Sequence, residues 1–507
     1  MNHETELARL SGTVYRNGAH VASTSSRRRA VIDPATGKQI GEFADVDPEE
    51  VDATVESANT AQRSWWALSA LERAEALHEV AARVRKLRFD VAEILTRETG
   101  KPFKESADEL MWTATAVDYY AELGRHNVGS VLGNSIAGQL HYTLKEPMGT
   151  VVVILPANYP ILLFIWEAAA ALAAGNSVIV KPSEWATLTT LKFMEVFDAL
   201  PTGLVQCVTG GGTVGAQLVS HRDTHMVGFT GSVATGRAIA RACADQFKPY
   251  LIEASGNDAF IVLPSAPVDV AAKAATFAAF FNCGQVCTSG ERFYVHEDVY
   301  DEFVRLFIAE TAKLRIGSGL DQVDIGPMEH GGERARVEKV LARAVEQGAS
   351  IVQGGGRPQG LPDELADGFF FEPTILVNVE ADMDVLQAEI FGPLAPVVKV
   401  SSLDEAIALT NGSDFGLGAT VYTKDSEEIF RATNEIVSGM VWINAPILDN
   451  VAGPFGGRKM SGIGRQLGTE GLETFRHTKL VMVDPAASEH DFWWFPYSDA
   501  EAFPGAV

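Results

Sequence analysis

The segment GTVVVILPANYPILLFIWEAAAALAAGNSVIVK, residues 149–181, holds two short β-branched runs separated by a long apolar stretch. The runs GTVVVIL and NSVIVK have the length and composition of buried strands, and the stretch that begins near Pro160 has the length of a helix. A strand, a crossover helix and a second strand form the unit of a parallel sheet. Prolines, asparagines and Glu167 interrupt the apolar residues, so the segment is expected to be protein core and not a membrane span.

The same alternation continues to about residue 255 and predicts a doubly wound sheet of the Rossmann type, with five parallel strands joined by four crossovers. The further strands are GLVQCVT (203–209), HMVGFTG (225–231) and YLIEAS (250–255), and the further helices begin near Ala186, Thr213 and Ser232.

A second α/β series follows from about residue 259. Its expected strands are AFIVL, RFYVH, SIVQGG, APVVKV, ATVYT and GMVWIN, and its expected helices cover residues 297–314, 333–348 and 426–436. Before residue 149 helical patterns dominate, as in Leu77, Val80, Ala81 and Val84, which fall on one helix face. Two remaining segments, QLHYTLKE (139–146) and HTKLVMVD (477–484), alternate like strands and could pair into a small sheet.

Composition excludes several classes of function. The net charge of −25 argues against nucleic-acid and anionic membrane partners, since the only basic run is Arg27 to Arg29. The four cysteines form no zinc-binding or disulfide pattern, and no metal site is expected. The start MNHETELARL lacks an apolar signal region, so a cytoplasmic protein is expected.

Three turns at strand ends point to a dinucleotide site. TGGGTVG (209–215) contains GxGxxG, FTGSVATG (229–236) places Gly231 and Ser232 at a helix start, and KPSE (181–184) offers an ammonium and a carboxylate. Glycines also serve ordinary strand-to-helix turns, so the first motif alone leaves that alternative open.

Cys287, in FFNCGQVCTSGERF (280–293), lies in a segment too polar for a core, where N–H donors could hold a reactive thiolate. Cys207 and Cys243 suit core packing. Glu253, at the end of an apolar strand, is the preferred general base over His296, and burial should raise its pKa. Asn158, in the turn LPANYP, can donate an amide N–H to an oxyanion.

From about residue 30 to 484 the chain resembles the NAD(P)-dependent aldehyde dehydrogenase superfamily. The motifs that carry the resemblance are PANYP, KPSE, FTGS, EASG, GQVC, EIFGP (389–393) and PFGGRKMSGIGRQLG (454–468). The resemblance implies a Rossmann-type cofactor domain, an α/β catalytic domain and a small β flap for oligomerisation, in a homodimer or homotetramer. Expected boundaries are 1–126 and 147–257 for the cofactor domain, with 451–474 returning to it, 258–450 for the catalytic domain, and 127–146 and 475–507 for the flap and tail.

The resemblance also implies the site residues. Cys287 is the nucleophile, Glu253 the base, and Asn158 with the Cys287 backbone N–H the oxyanion hole. Cofactor contacts are expected from Pro156, Lys181, Ser183, Glu184, Gly215, Phe229, Gly231, Ser232, Glu389 and Phe391. Glu184 would repel a 2′-phosphate, which favours NAD, although NADP is possible. The family's usual Glu-Leu-Gly-Gly is Glu253-Ala254-Ser255-Gly256 here. Because Ser255 has less conformational freedom than glycine, the backbone beside the nicotinamide is expected to differ from that of the family.

By similarity, a substrate tunnel is expected from Trp112, Tyr159, Leu163, Trp166, Phe281 and Phe455, with Asp449 at its mouth. The aromatic lining favours an apolar or aromatic aldehyde, and the carboxylate leaves an amino or betaine aldehyde as the alternative. A hydrolase without cofactor, a CoA-acylating enzyme and a catalytically silent protein fit the motifs less well. Cys283 is expected to be a structural or incidental thiol, and a redox pair with Cys287 is the less favoured alternative. A further hypothesis is that the aromatic tail DFWWFPYSDAEAF (491–503) covers a substrate entrance.

Overall fold

The computed structural model describes residues 3–126, 128–489 and 494–495, so most of the tail and its suggested role as a cover lie outside the described residues. The predicted five parallel strands are confirmed as the centre of an eight-stranded sheet. In spatial order the strands are Ala19–Ala22, Thr13–Arg16, Val205–Cys207, Ser177–Lys181, Thr150–Ile154, Met226–Thr230, Tyr250–Glu253 and Gly462–Ile463.

Sequence patterns missed the three outer strands of this sheet. A hairpin of residues 13–22 pairs antiparallel to Val205–Cys207, and Gly462–Ile463 pairs antiparallel to Tyr250–Glu253. The helical emphasis before residue 149 was therefore too strong, because short exposed strands carry little periodicity. A second hairpin, Arg28–Ile32 with Gln39–Ala44, lies in the same region.

The second sheet has seven strands, and all six predicted runs contribute to it. In spatial order they are Ser350–Gln353, Thr374–Val377, Leu394–Val400, Gly290–His296, Asp258–Val262, Ala419–Tyr422 and Trp442–Ile443. The strand Thr374–Val377 was not predicted. It lies between Ser350–Gln353 and Leu394–Val400 and pairs with both of them.

The two leftover alternating segments do pair with each other. Arg476–Val483 lies antiparallel to Leu140–Pro147, and Val131–Leu132 adds a third strand. In this small three-stranded sheet, the apolar side chains of Leu140, Leu144, Leu480 and Met482 are exposed. A two-stranded ladder joins Phe415–Gly416 to Arg458–Lys459.

Helices cover both faces of the two large sheets. Among the described residues the α-helices are His3–Leu10, Pro48–Trp66, Ala70–Thr99, Phe103–Leu123, Pro160–Ala173, Thr187–Phe193, Gly212–Ser220, Val233–Ala244, Val268–Phe280, Glu297–Thr311, Gly331–Glu346, Leu403–Asn411, Ser426–Glu435 and Gly468–Thr474. Short 3-10 turns cover Met194–Ala199, Phe281–Gly284, Asp363–Leu365 and Asp384–Leu386.

Burial agrees with the sequence patterns. Leu77, Val80, Ala81 and Val84 are buried on one face of Ala70–Thr99. The helix Pro160–Ala173 is buried along its whole length between sheet and neighbouring helices, as its apolar composition predicts. Within the described part of the chain, no helix combines the length and apolar character needed to cross a membrane.

Candidate active site

The parallel strands of the first sheet bring their carboxyl ends to one edge. Lys181 lies opposite Ile154, and Thr230 lies opposite Glu253, each at the last residue of its strand. The ends of these four strands and the turns that follow them therefore meet at this edge, which is where ligands bind in open parallel sheets.

The loop that carries Cys287 approaches this edge from the second sheet. It follows the turn Phe281–Gly284, in which Asn282 and Cys283 both have positive φ. The backbone passes so close to Gly256 that a Cβ added there would lie 1.7 Å from the Cys287 carbonyl oxygen. Only glycine fits at position 256 without moving the loop, so this residue sets the distance between the Glu253 strand and Cys287.

Cys287 and Glu253 lie close enough for each to shift the pKa of the other. The Oε1 atom of Glu253 has no hydrogen-bond partner among the described residues. Burial raises the pKa of Glu253 well above its usual range, as the sequence predicted, and the neighbouring carboxylates Glu389 and Glu167 raise it further. A carboxylate with a raised pKa is a stronger base than an ordinary one.

The protonation state of Cys287 differs from the sequence-based expectation of a stabilised thiolate. Burial, followed by the charges of Glu253, Asp258 and Asp449, raises the pKa of the Cys287 thiol well above its usual range. The segment is polar, but the side chains that face the sulfur are acidic. The resting form is therefore the thiol, and its proton has an acceptor in Glu253.

Asn158 is buried beside the same loop. Its Nδ2 atom donates to the backbone carbonyl of Gln285 at 3.1 Å, and its Oδ1 atom has no partner among the described residues. An amide nitrogen carries two hydrogens, so the second N–H of Asn158 remains for an oxygen of a ligand.

A cavity of about 290 Å³ opens at Cys287. All seven residues expected to form a substrate tunnel line it: Trp112, Tyr159, Leu163, Trp166, Phe281, Asp449 and Phe455. Trp166 packs against Phe455 with ring centroids 4.9 Å apart, and Tyr159 against Phe281 at 6.2 Å. Six aromatic residues thus line the cavity, together with aliphatic and charged ones.

Four acidic residues and Lys104 line this cavity, and two of the acids are ion-paired: Asp108 with Lys104 and Glu109 with Lys101. The other two acids are Glu105 and Asp449. Burial raises the pKa of Glu105 to about 8 and that of Asp449 to about 7. Glu105 accepts a hydrogen bond from the Asn282 backbone N–H at 3.2 Å, and among the described residues neither carboxylate has a cation within 4.0 Å. Sequence reasoning identified Asp449 but missed Glu105, because its helix precedes Cys287 by about 180 residues and carries no motif.

The predicted cofactor residues lie along the sheet edge. Lys181 is buried, and its Cδ lies 3.8 Å from where a Cβ on Gly215 would be. Burial lowers the pKa of Lys181 to about 8. Gly231 packs over Phe229, and Ser232 caps the helix Val233–Ala244 by accepting from the Thr235 backbone N–H. Pro156 and Ser183 lie half-buried in the turns that follow their strands.

Glu184 has a partner that the sequence did not predict. Its Oε2 accepts from Arg29 Nη1 at 2.8 Å, while Arg29 Nε donates to Asp45 at 2.7 Å. Asp45 in turn accepts from the Gly211 backbone N–H at 2.7 Å, and a Cβ on Gly211 would lie 2.6 Å from both Arg29 and Glu184. The glycine-rich turn is therefore built around this carboxylate–guanidinium–carboxylate group. The basic run Arg27 to Arg29 was its only signal in the sequence.

On the Cys287 side, Glu389 accepts from the Gly256 backbone N–H at 2.9 Å and from the Ser255 side chain. Burial raises its pKa to about 7. Ser255, one of the departures noted in the sequence, thus has a defined partner. The backbone of Phe391 is held by Glu291 at 2.7 Å, a contact that no sequence motif indicated.

The remaining cysteines lie in hydrophobic cores and form no disulfide. Cys283 belongs to the core of the second sheet, whereas Cys287 packs against the core of the first. The two thiols thus face different sides of the loop, which does not favour the redox pair that the sequence left open. Among the described residues, no group of acidic, histidine or cysteine side chains could hold a metal ion.

A doubly wound sheet, a second α/β sheet and a cysteine–glutamate pair at their junction define a class of two-sheet enzymes that act through a thiol. The aldehyde dehydrogenase family model matches residues 20–481. The chain belongs to the aldehyde dehydrogenase family.

Curated relatives share about a third of their residues with this chain. The betaine aldehyde dehydrogenase of Bacillus subtilis is 34% identical over 93% of this chain and 97% of its own. The NADP(+) succinate-semialdehyde dehydrogenase GabD of Escherichia coli is 34% identical over 92% and 96%. A solved structure of Staphylococcus aureus betaine aldehyde dehydrogenase in complex with NAD+ superimposes with a TM-score of 0.93, at 32% identity over 97% of this chain and 99% of that one.

Proposed function

We propose that this protein oxidises an aldehyde to the carboxylic acid with NAD or NADP as hydride acceptor, through a thioester on Cys287. The observation that carries the proposal is that the Cys287 sulfur lies at a cavity lined by aromatic residues, with the buried carboxyl of Glu253 and the amide of Asn158 beside its loop. A thiol, a base and an amide donor are the groups that this reaction requires.

Each proposed step uses a residue already placed. Glu253 accepts the Cys287 proton, and the sulfur attacks the aldehyde carbon to give a thiohemiacetal. The oxyanion is held by the second N–H of Asn158 and by the Cys287 backbone N–H. The chemistry that bound NAD or NADP supplies is acceptance of the hydride from this carbon. Glu253 releases the thiol proton to solvent during this step and, ionised again, takes a proton from water. The resulting hydroxide attacks the thioester, the acid departs, and the Cys287 sulfur regains a proton.

The sheet edge fits a dinucleotide. Lys181 offers a buried ammonium, Glu184 a carboxylate at the ribose position, and the turn at Gly231 leads into a helix N-terminus. We propose that residues 147–257 form the core of the cofactor domain and residues 258–450 the catalytic domain. The relatives include a complex with NAD+ and an NADP(+) enzyme, which supports use of either cofactor.

Of the two substrate classes that the sequence left open, the cavity favours the cationic one. Glu105 and Asp449 have no ion-pair partner among the described residues, and aromatic rings surround them. A cation inside an aromatic cavity with two carboxylates gains cation–π and ionic attraction. The relatives include a betaine aldehyde dehydrogenase and an equally identical succinate-semialdehyde dehydrogenase, so the choice rests on the cavity and not on the relatives. Neutral aromatic aldehydes remain the second candidate, because the same rings suit them.

A substrate panel tests the proposal. Purified protein with NAD or NADP is given betaine aldehyde, 3-aminopropanal, 3,3-dimethylbutanal, benzaldehyde and succinate semialdehyde, and NAD(P)H absorbance is followed. We expect turnover to be highest with the two cations and absent in Cys287→Ala. Preference for succinate semialdehyde would contradict the cationic assignment, and no turnover with any aldehyde would contradict the activity itself.

We further propose that the small sheet joins subunits into a homodimer or homotetramer, because Leu140, Leu144, Leu480 and Met482 expose an apolar surface. Light scattering on the parent and on Leu480→Glu checks this. A monomeric parent would refute it.

A further inference from the structure

Lys101 and Glu109 form an ion pair from which solvent is excluded. Both side chains have zero exposed area, and Lys101 Nζ donates to Glu109 Oε2. Burying two charges is costly unless both are fully hydrogen-bonded, so such a pair is retained only where its geometry is well satisfied. The proposed reaction assigns a role to neither residue.

The other side-chain hydrogen bonds of this pair, and the ring contact of Lys101, go to one short turn, residues 158–162. Lys101 Nζ donates to the Asn158 backbone carbonyl at 2.7 Å and lies 3.9 Å from the centre of the Tyr159 ring. Glu109 Oε1 accepts from the backbone N–H groups of Ile161 and Leu162, at 2.9 and 3.1 Å. The pair therefore holds this turn on both sides, at the point where a strand passes into the helix Pro160–Ala173.

This turn carries the proposed oxyanion donor. Asn158 projects its amide from the same residue whose carbonyl Lys101 fixes, and the amide spends one N–H on the Gln285 carbonyl. The free N–H then has a single direction, set by the backbone of Asn158 and by the Gln285 contact. An oxyanion donor contributes only when it is held in place before charge develops.

We propose that Lys101 is a positioning residue for the oxyanion hole, acting through the backbone of Asn158. This inference rests on the proposed function. Lys101 is not among the residues that line the cavity, so it acts without touching the substrate. Its three N–H donors explain the residue type, because they serve Glu109, the Asn158 carbonyl and the Tyr159 ring together.

A double-mutant cycle tests the inference. Single-turnover formation of NAD(P)H at saturating aldehyde and cofactor is measured for the parent, Lys101→Met, Asn158→Ala and the double variant. We expect Lys101→Met to slow this step by roughly ten- to a hundredfold, somewhat less than the ~10²–10³ for loss of a whole donor. The double variant should be no slower than Asn158→Ala alone, and KM for the cofactor should not change. Equal slowing in both backgrounds would overturn the inference, since Lys101 would then act independently of Asn158.

The chain offers a matched control in Lys248, another buried lysine. Its Nζ donates to the carbonyls of Val219 and His221 and to Thr224 Oγ1, away from Cys287. Lys248→Met should destabilise the protein as a buried lysine does, yet leave the single-turnover rate within about threefold of the parent. An equal loss of rate in Lys248→Met would show that general destabilisation explains Lys101→Met.

Two provisions keep the test decisive. If Lys101→Met does not fold, Glu109→Gln replaces it in the cycle, because an amide oxygen still accepts from the N–H groups of Ile161 and Leu162 while the ionic clamp is weakened. If the parent forms no NAD(P)H, the cycle is run on acylation of Cys287 by 4-nitrophenyl acetate. Attack on this ester forms an oxyanion at the same place, releases 4-nitrophenolate and needs no cofactor, so failure of the dehydrogenase proposal and failure of the Lys101 inference are separated.

Discussion

Carboxylates at the two ends of the active site differ in whether a cation pairs with them. At the cofactor end, Glu184 and Asp45 share the guanidinium of Arg29. At the substrate end, Glu105 and Asp449 face an aromatic cavity, and among the described residues they have no cation within 4.0 Å. Asp108 and Glu109 line the same cavity but pair with Lys104 and Lys101, so Glu105 and Asp449 are the two cavity carboxylates that remain for a cationic aldehyde. We therefore expect local pairing of charges, more than the net charge of −25, to influence which ligand each end accepts.

The largest effect is expected at Glu253, which lies between the two ends. Glu253→Gln should lower turnover by roughly 10²–10⁴, because no group then accepts the proton of Cys287 or of water. In the parent, turnover should rise with pH through the raised pKa of Glu253, since only the ionised carboxylate accepts a proton. Steady-state rates from pH 6 to 10 check both statements. An unchanged profile in Glu253→Gln would assign the base to another group.

The next effect concerns the substrate end. Asp449→Asn and Glu105→Gln should each lower kcat/KM for betaine aldehyde by about tenfold, while the uncharged isostere 3,3-dimethylbutanal changes little. In the parent, the preference for the cation should grow between pH 6 and 9, because Asp449 ionises near pH 7 and Glu105 near pH 8. A preference that is independent of pH and of both substitutions would remove the cationic assignment.

A smaller effect is expected at the cofactor end. Arg29 donates to Glu184, the carboxylate proposed at the ribose hydroxyls. If its guanidinium also pairs with the 2′-phosphate of NADP, Arg29→Ala should weaken NADP binding by about tenfold and NAD binding much less. Calorimetric Kd values in the Cys287→Ala background measure this without turnover. Arg27→Ala is the matched control, because Arg27 pairs with Asp47 and makes no contact with Glu184. Equal losses for both cofactors would make Arg29 a structural residue only.

The smallest effect concerns Ser232, which the structure shows as a helix cap. Ser232→Ala should cost about 1 kcal/mol of unfolding free energy, as loss of a cap does, with a change in NAD affinity below about threefold. Ser402→Ala removes an equivalent cap from the helix Leu403–Asn411 in the other half of the molecule. Thermal unfolding and calorimetry of the two variants separate the roles, since a large affinity loss confined to Ser232→Ala would make its hydroxyl a phosphate contact.

Sequence patterns predicted the elements that have strong local signals. The five buried β-branched runs of the first sheet are clear because a strand covered on both faces is almost wholly apolar. The strand Thr374–Val377 was missed because it is four residues long and follows an irregular segment. The hairpin of residues 13–22 was missed because most of its residues are half-exposed or exposed.

The same distinction holds in the site. Cys287, Glu253 and Asn158 each lie in a recognisable motif, so they could be identified from the sequence. The structure places all three around one loop. The pairing of Arg29 with Glu184, and the position of Glu105 in the cavity, depend on contacts between residues far apart in the chain. The sequence around Arg29 does not indicate Glu184 as its partner, and the sequence around Glu105 does not indicate the cavity. For the same reason the acidic surroundings of the Cys287 sulfur were not foreseen.

The close approach at Gly256 limits how this protein can be redesigned. A single added methyl group would meet the Cys287 backbone, so no other residue can replace Gly256 without moving the loop. A backbone shift in the nucleophile loop would likewise be passed to the strand that carries Glu253. Cavity positions such as Trp112, Phe277 and Leu448 are at least partly exposed and carry no such constraint. Directed evolution toward new aldehydes should therefore accumulate substitutions along the cavity wall. The approach of Gly256 to the Cys287 loop should remain unchanged.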